Sequence, residues 1–176
     1  MLCLQGLLDG QEYDEAKEYI HDITLYKTIL SKEYSSGNTI ANAILSDKSE
    51  HAEEIGAEIQ FSGVIFENIP AADLCTILSN ALDNAIEACE KISVDEPKII
   101  TVKCSYIKHI QFITVSNPVA ENVKITNNAV ETSKSDKNIH GIGLYNIRKT
   151  VAKYDGEFEI SCNDKSFVLD IGFKVQ

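Results

Sequence analysis

The sequence predicts an α+β domain: a two-layer sandwich in which a mixed, mostly antiparallel sheet carries helices on one face. Three observations lead there. The stretch from Leu74 to Ile92 repeats its apolar residues at helical spacing, with Leu74, Ile77, Leu78, Ala81, Leu82, Ala85 and Cys89 on one face. The segments after it alternate at strand period and pair into hairpins. The element order is helix, strand, helix, hairpin, polar loop, helix, hairpin, which suits helices layered on one side of a sheet.

Composition sets the frame. A chain of 176 residues, 44% hydrophobic and 24% charged, has the size and make-up of one globular domain with a small appendage. A net charge of −11 argues against a nucleic-acid or anionic-membrane surface, which would need a basic patch, so neither is an expected partner. No apolar run approaches the roughly 20 residues of a membrane span, and no signal peptide opens the chain. The cysteines Cys3, Cys75, Cys89, Cys104 and Cys162 contain no CxxC pair. Cys75 and Cys89 fall on or beside the apolar face of the central helix, so reduced core thiols in a cytosolic domain are expected.

Taken in order, Leu2, Leu4, Leu7 and Leu8 form the tail of a helix closed by Asp9-Gly10. A second helix begins in the acidic turn 11–15 and uses Ala16, Tyr19, Ile20, Ile23, Tyr26, Ile29 and Leu30, ending near Ser35-Ser36-Gly37. Its first arm is short, so residues 1–37 read as a partial helical hairpin and 38–176 as the main domain. A third helix runs from about Asn38 to Ile55, and strand alternation occupies Ala57–Phe66. After the central helix and a break at Glu96-Pro97, Ile99–Tyr106 and Ile110–Val115 form a hairpin around Lys108-His109. Pro118–Asn138 is polar and lacks a clear structural period, which marks a functional loop or disorder. A helix over Leu144–Tyr154 and a closing hairpin, Glu157–Cys162 with Phe167–Lys174, complete the chain.

Two features carry chemistry. Opposite the apolar face of the central helix lie Asp73, Thr76, Asn80, Asn84, Glu87 and Lys91. An ordinary solvated stripe is built from Glu and Lys; two Asn one turn apart are poor helix formers, whose carboxamides can ligate a hard cation such as Mg²⁺ and also donate hydrogen bonds. The plainer alternative is a core helix with an arbitrary wet face. The second feature is Gly141 and Gly143 at the start of the Leu144–Tyr154 helix. Glycines there allow close backbone approach, and the helix start offers free N–H groups to an anion. Tight packing at a turn explains such a pair equally well.

LSNALDNAIEA (Leu78–Ala88) resembles the N box of the GHKL, or Bergerat-fold, ATPases, and HGIGLYNI (His140–Ile147) resembles their G2 box, continued by KYDGEFEI (Lys153–Ile160). The fuller resemblance is to the C-terminal kinase domains of sensor histidine kinases of the accessory-gene-regulator type. There GLLDGQEYDEAKEYI (Gly6–Ile20) and GNTIANAILSDKSEHAEEIGAEIQF (Gly37–Phe61) are similar to the segments leading into the ATP-binding domain. The resemblance implies ATP and Mg²⁺ as cofactors, with Asn84 as metal ligand and Asn80 and Glu87 as catalytic residues. It implies nucleotide contacts from Asn80, Asn84, Asn117, His140, Gly141, Gly143 and Leu144, under a lid formed by Val119–Ile139. The relatives' G1 box, Asp-x-Gly-x-Gly, is replaced by Val115-Ser116-Asn117-Pro118, so weak nucleotide binding is expected, with Asn117 offering its carbonyl oxygen to the adenine amino group.

The function so implied is γ-phosphoryl transfer from Mg-ATP to a histidine outside this chain. The full-length kinase would be a homodimer anchored in the membrane and acting on a response regulator. His21-Asp22 does not continue as the phosphoacceptor motif does, and the register places the acceptor before Met1. Two rivals remain: an ATP-hydrolysing GHKL enzyme, which would need a water-activating Glu where Asn80 stands, and a non-catalytic dimerisation or interaction module on the same fold.

Overall fold

The structure is a computed structural model that describes residues 10, 12–17, 34–126, 129–130 and 142–175. The chain divides into two units, Met1–Lys32 and Glu33–Gln176. Of the first, a short helical segment at 13–17 is described, with Ala16 N–H bonded to the Glu12 carbonyl. The hairpin residues expected over 1–9 and 18–33, including His21, lie outside the described residues.

The first described residue of the second unit is Tyr34, whose hydroxyl donates to the Ile59 carbonyl at 3.2 Å. Helix α1 spans Thr39–Glu54 and starts where expected, because the Asn38 side chain accepts from Ala41 N–H. The same carboxamide donates to the Phe66 and Glu67 carbonyls, so one residue caps the helix and pins the loop beyond the next strand. At the other end Lys98, almost fully buried, donates to the Ile55 carbonyl at 3.1 Å, a cation placed where helix carbonyls lack partners.

Strand β1 spans Glu58–Gly63 and stops short of the Phe66 that alternation suggested. Gly63 ends it at φ +106, with a Cβ there falling 1.7 Å from the Cys104 carbonyl oxygen, a place only glycine fits. Helix α2, Ala71–Glu90, buries Leu74, Ile77, Leu78, Ala81, Leu82, Ala85, Ile86 and Cys89, the apolar stripe read from periodicity with Ile86 added. Cys75 departs from expectation: it is exposed. Its position lies a further helical step around from Leu74, off the edge of the buried stripe.

Strands β2 (Ile99–Ile107) and β3 (Ile110–Pro118) form the expected hairpin, turning at Lys108 and His109 with φ of 51 and 65. Two residues at positive φ make the primed turn that matches strand twist. The closing hairpin, β6 (Glu157–Asn163) and β7 (Ser166–Lys174), repeats the device at Asp164 and Lys165. Between the hairpins lie a two-residue ladder, β4 (Ile125–Thr126) with β5 (Ala129–Val130), and helix α3, Ile142–Ala152.

The main sheet runs β1-β2-β3-β7-β6, parallel only between β1 and β2. Register aligns Ile59 with Ile100, Val115 with Val102 and Leu169, and Ile113 with Ile171. All are buried on the face that receives the helices, whereas the opposite face carries polar residues such as Thr114 and Asp170, which bond to each other. This is the α+β two-layer sandwich. The buried polar Gln111 accepts from Phe66 N–H and donates to the Val64, Ser105 and Phe112 carbonyls. A carboxamide satisfied on both ends carries no desolvation deficit and ties the β1–α2 loop to β3.

Candidate functional site

Helix α3 packs, in the opposite direction, along the part of the polar stripe from Asp73 to Asn84, whereas Lys91 beyond it is exposed. At the start of α3, a Cβ built on Gly143 would stand 3.1 Å from Asn84 Nδ2 and 3.2 Å from both Asn80 Oδ1 and Asn84 Oδ1. Glycine here admits the two carboxamides into the space a side chain would fill. Asn80 Nδ2 donates to the Thr76 carbonyl at 2.6 Å, while its Oδ1 faces Gly143. Asn84 Nδ2 is buried and has no hydrogen-bond partner among the described residues. An orphaned amide donor costs about 1–3 kcal/mol; an anionic acceptor such as a phosphate oxygen would satisfy it, while Oδ1 of the same residue is the atom able to ligate a cation.

At the far end of α3, Asp73 accepts from Lys153 Nζ and, at 2.6 Å, from the Tyr154 hydroxyl. Those two donors, Lys153 first, hold the Asp73 carboxyl below its ordinary value near 3.8. Burial, reinforced by Asp73, pushes the Tyr154 phenol up to about 12.

Beside the Asn80–Gly143 contact a cavity of about 150 Å³ opens between the second half of α2 and the ends of β3 and β7. Asn84, Glu87 and Lys91 supply its polar wall, Asn117 its sheet side, and Leu144 and Phe167 its apolar sides. Asn117 is 4% exposed and its Nδ2 donates to the Pro118 carbonyl at 2.8 Å. Glu87 and Lys91 form an i,i+4 ion pair at 3.6 Å, a half-exposed contact of small energetic weight. Val119, Val123 and Val130 close the cavity from the polar loop. That loop is more tied down at its start than its composition suggested. Val119 N–H bonds to the Lys165 carbonyl, Asn122 Oδ1 accepts from Lys165 N–H, and Val123 N–H points at Cys162 Sγ.

Six residues singled out from sequence therefore converge: Asn80, Asn84, Glu87, Asn117, Gly143 and Leu144. Of these, Asn80 and Gly143 form the helix contact beside the cavity rather than its lining. His140 and Gly141, and most of the 119–139 loop from 131 onward, lie outside the described residues. Sequence reasoning missed Lys91 as a lining residue, although it belonged to the polar stripe, and Phe167, which local pattern marks only as a strand residue. No group of three or more His, Cys, Asp or Glu side chains gathers among the described residues in a way that could hold a metal without other ligands.

A family model described as the GHKL domain matches residues 69–174, from just before α2 to the end of β7. No curated protein matches the chain in sequence. Among solved structures, the catalytic domain of histidine kinase ThkA in a nucleotide-free form aligns with a TM-score of 0.61 and 15% identity, over 77% of this chain and 91% of that chain. Histidine kinase AdeS of Acinetobacter baumannii aligns with a TM-score of 0.58 and 10% identity, over 98% and 93%. The mycobacterial sensor histidine kinase MprB aligns with 0.53 and 13%, over 77% and 93%. At these identities the likeness is one of fold. No helix among the described residues is long and apolar enough to cross a membrane. With the family match covering more than half of the sequence and the fold agreeing, the chain belongs to the GHKL domain family.

Proposed function

We propose that residues 38–176 are the ATP-binding catalytic domain of a two-component sensor histidine kinase of the accessory-gene-regulator type, and that residues 1–37 are part of its helical hairpin. The observation that carries this reading is the unpartnered Asn84 Nδ2 in the wall of a cavity that the buried Asn117 also lines. One marks where phosphates and a cation would sit, the other where a base would.

At the base end, the bond from Asn117 Nδ2 to the Pro118 carbonyl engages one of the two N–H donors of the amide. Its Oδ1 is the atom able to accept from the adenine amino group, whereas a guanine would present its O6 acceptor to that oxygen. At the phosphate end, the start of α3 offers backbone N–H groups and a positive dipole end, with Gly143 permitting close approach. Asn84 fits as the residue that would hold Mg²⁺, and the ion, when bound, would neutralise charge on the β- and γ-phosphates. A single neutral protein ligand suits Mg²⁺, which takes most of its octahedron from water and phosphate oxygens.

In the proposed reaction a histidine imidazole nitrogen, supplied from outside this sequence, forms the P–N bond as the bond from the γ-phosphorus to its bridging oxygen breaks and ADP leaves. Glu87 on the cavity wall is the proposed acceptor for the imidazole proton, and Asn80 holds the Asn84–Gly143 contact in register. Catalysis would rest on positioning and charge neutralisation. The full-length kinase is proposed to dimerise, to sit in the membrane through other segments, and to pass its phosphoryl group to a response regulator. An amide at position 80 cannot serve as the general base of an ATP-hydrolysing enzyme, which sets that reading behind this one.

Isothermal titration calorimetry with ATP and with GTP, each with and without Mg²⁺, tests the assignment. ATP should bind, more tightly with Mg²⁺, and GTP should not. Equal heats for both nucleotides, or none for either, would defeat it.

A further inference from the structure

We infer that Asp73 is a positioning residue for the nucleotide site, acting through α3 rather than by touching the ligand; the inference rests on the reading above for what the site binds. Its side chain lies about two turns before Asn80 and about three before Asn84 on the same stripe of α2. It accepts hydrogen bonds from Lys153 and Tyr154, the two residues that follow the last turn of α3. Helix α3 is 11 residues long, so about 16 Å separate this contact from the one Gly143 makes with Asn80 and Asn84. The two helices are thereby fixed to each other at both ends of α3. Only Asp73 among the polar groups of the stripe is spent on the far end.

The lever has a definite consequence. Asp73 is largely buried, and the Tyr154 ring packs 5.2 Å from the Phe173 ring of β7, so the far end of α3 is anchored to helix and sheet together. Releasing it lets α3 pivot or slide along α2. The near contact is close-packed, because a Cβ at Gly143 would stand only 3.1–3.2 Å from the carboxamide atoms of Asn80 and Asn84. A shift of even an ångström there moves the backbone N–H groups that start α3 relative to Asn84. Geometry at a binding site is sensitive to displacements of that size.

The test uses Asp73→Ala, Tyr154→Phe, which keeps the ring and removes the hydroxyl, and their double variant. Lys98→Met is the control: it removes a buried contact at the end of α1, and Lys98 does not line the cavity. Two readouts are taken at a temperature where circular dichroism shows every variant folded. The first is Mg-ATP affinity, expected to fall about tenfold in Asp73→Ala, less in Tyr154→Phe, and no further in the double variant than in Asp73→Ala. The second is the side-chain amide signals of Asn80 and Asn84 in ¹H–¹⁵N spectra of the ligand-free protein, expected to move in the same direction in all three. Lys98→Met should lower the melting temperature and leave both readouts unchanged. If the Asp73 and Tyr154 variants lose only melting temperature, or if Lys98→Met weakens affinity equally, the contact is structural and the inference falls. If the unaltered protein binds no nucleotide, the functional proposal fails, and the amide signals alone decide whether Asp73 positions the site.

Discussion

Replacing Asn84 with alanine should separate stability from binding. In the ligand-free protein the substitution removes a buried amide donor with no partner among the described residues, a deficit of about 1–3 kcal/mol. Alanine is also the better helix former, by up to about 0.7 kcal/mol. Against these stands the lost packing of the carboxamide against Gly143, about 1–2 kcal/mol for a partly collapsible site. The terms offset, so the melting temperature should hold or rise by about 2–4 °C, the shift that 1 kcal/mol produces in a chain of this length. Binding behaves differently. Loss of a contact to a charged ligand costs about 1.5–3 kcal/mol, which is about 10- to 150-fold in Kd. Differential scanning calorimetry without nucleotide and titration with Mg-ATP measure the two sides on one sample. A melting temperature several degrees lower would show that Asn84 is a satisfied structural residue; an unchanged Kd for Mg-ATP would remove it from the site.

Gly143→Ala should keep the fold, since the side chains that a Cβ meets at 3.1–3.2 Å are flexible amides, but it should push Asn80 and Asn84 aside and weaken Mg-ATP binding. Titration of a variant shown folded by circular dichroism checks this, and unweakened binding would count against the site. The Asp73 clamp sets a pH dependence. Because the Asp73 carboxyl is held below 3.8, its contribution to stability is complete above that value and disappears as pH falls through the lowered one. Tyr154 is raised to about 12, so its contribution holds below about 10 and is lost as pH climbs from there towards 12. Chemical denaturation of Asp73→Asn against the unaltered protein should therefore show a constant deficit at neutral pH that closes as pH falls below 3.8 through the lowered value. Finally, iodoacetamide at about pH 8 should modify exposed Cys75 and spare Cys89 and Cys104, whose thiols burial raises to about 11 and about 12. Peptide mass spectrometry after brief labelling reads the order, and Cys89 labelling as fast as Cys75 would contradict it.

What the sequence by itself determined is the part of the molecule governed by local period and local turns. The apolar repeat of α2 and the alternation in β2, β3, β6 and β7 are properties of neighbouring residues, and each stands where the pattern put it. The Asn80–Asn84 pair was legible for the same reason: two poor helix formers one turn apart in a strong helix are a local anomaly. The exposure of Cys75 was misjudged because helical period fixes a direction and leaves open how wide the buried stripe is. Only the tertiary structure decided the order β1-β2-β3-β7-β6, in which β3 pairs with a strand from the end of the chain. It alone decided that Gly143 receives the two carboxamides, that Asn84 is left without a described partner, and that Asp73 reaches residues 80 and 81 positions away. These contacts join segments whose separation in sequence carries no period, so they exist only once hydrophobic burial has brought α2, α3 and the sheet together.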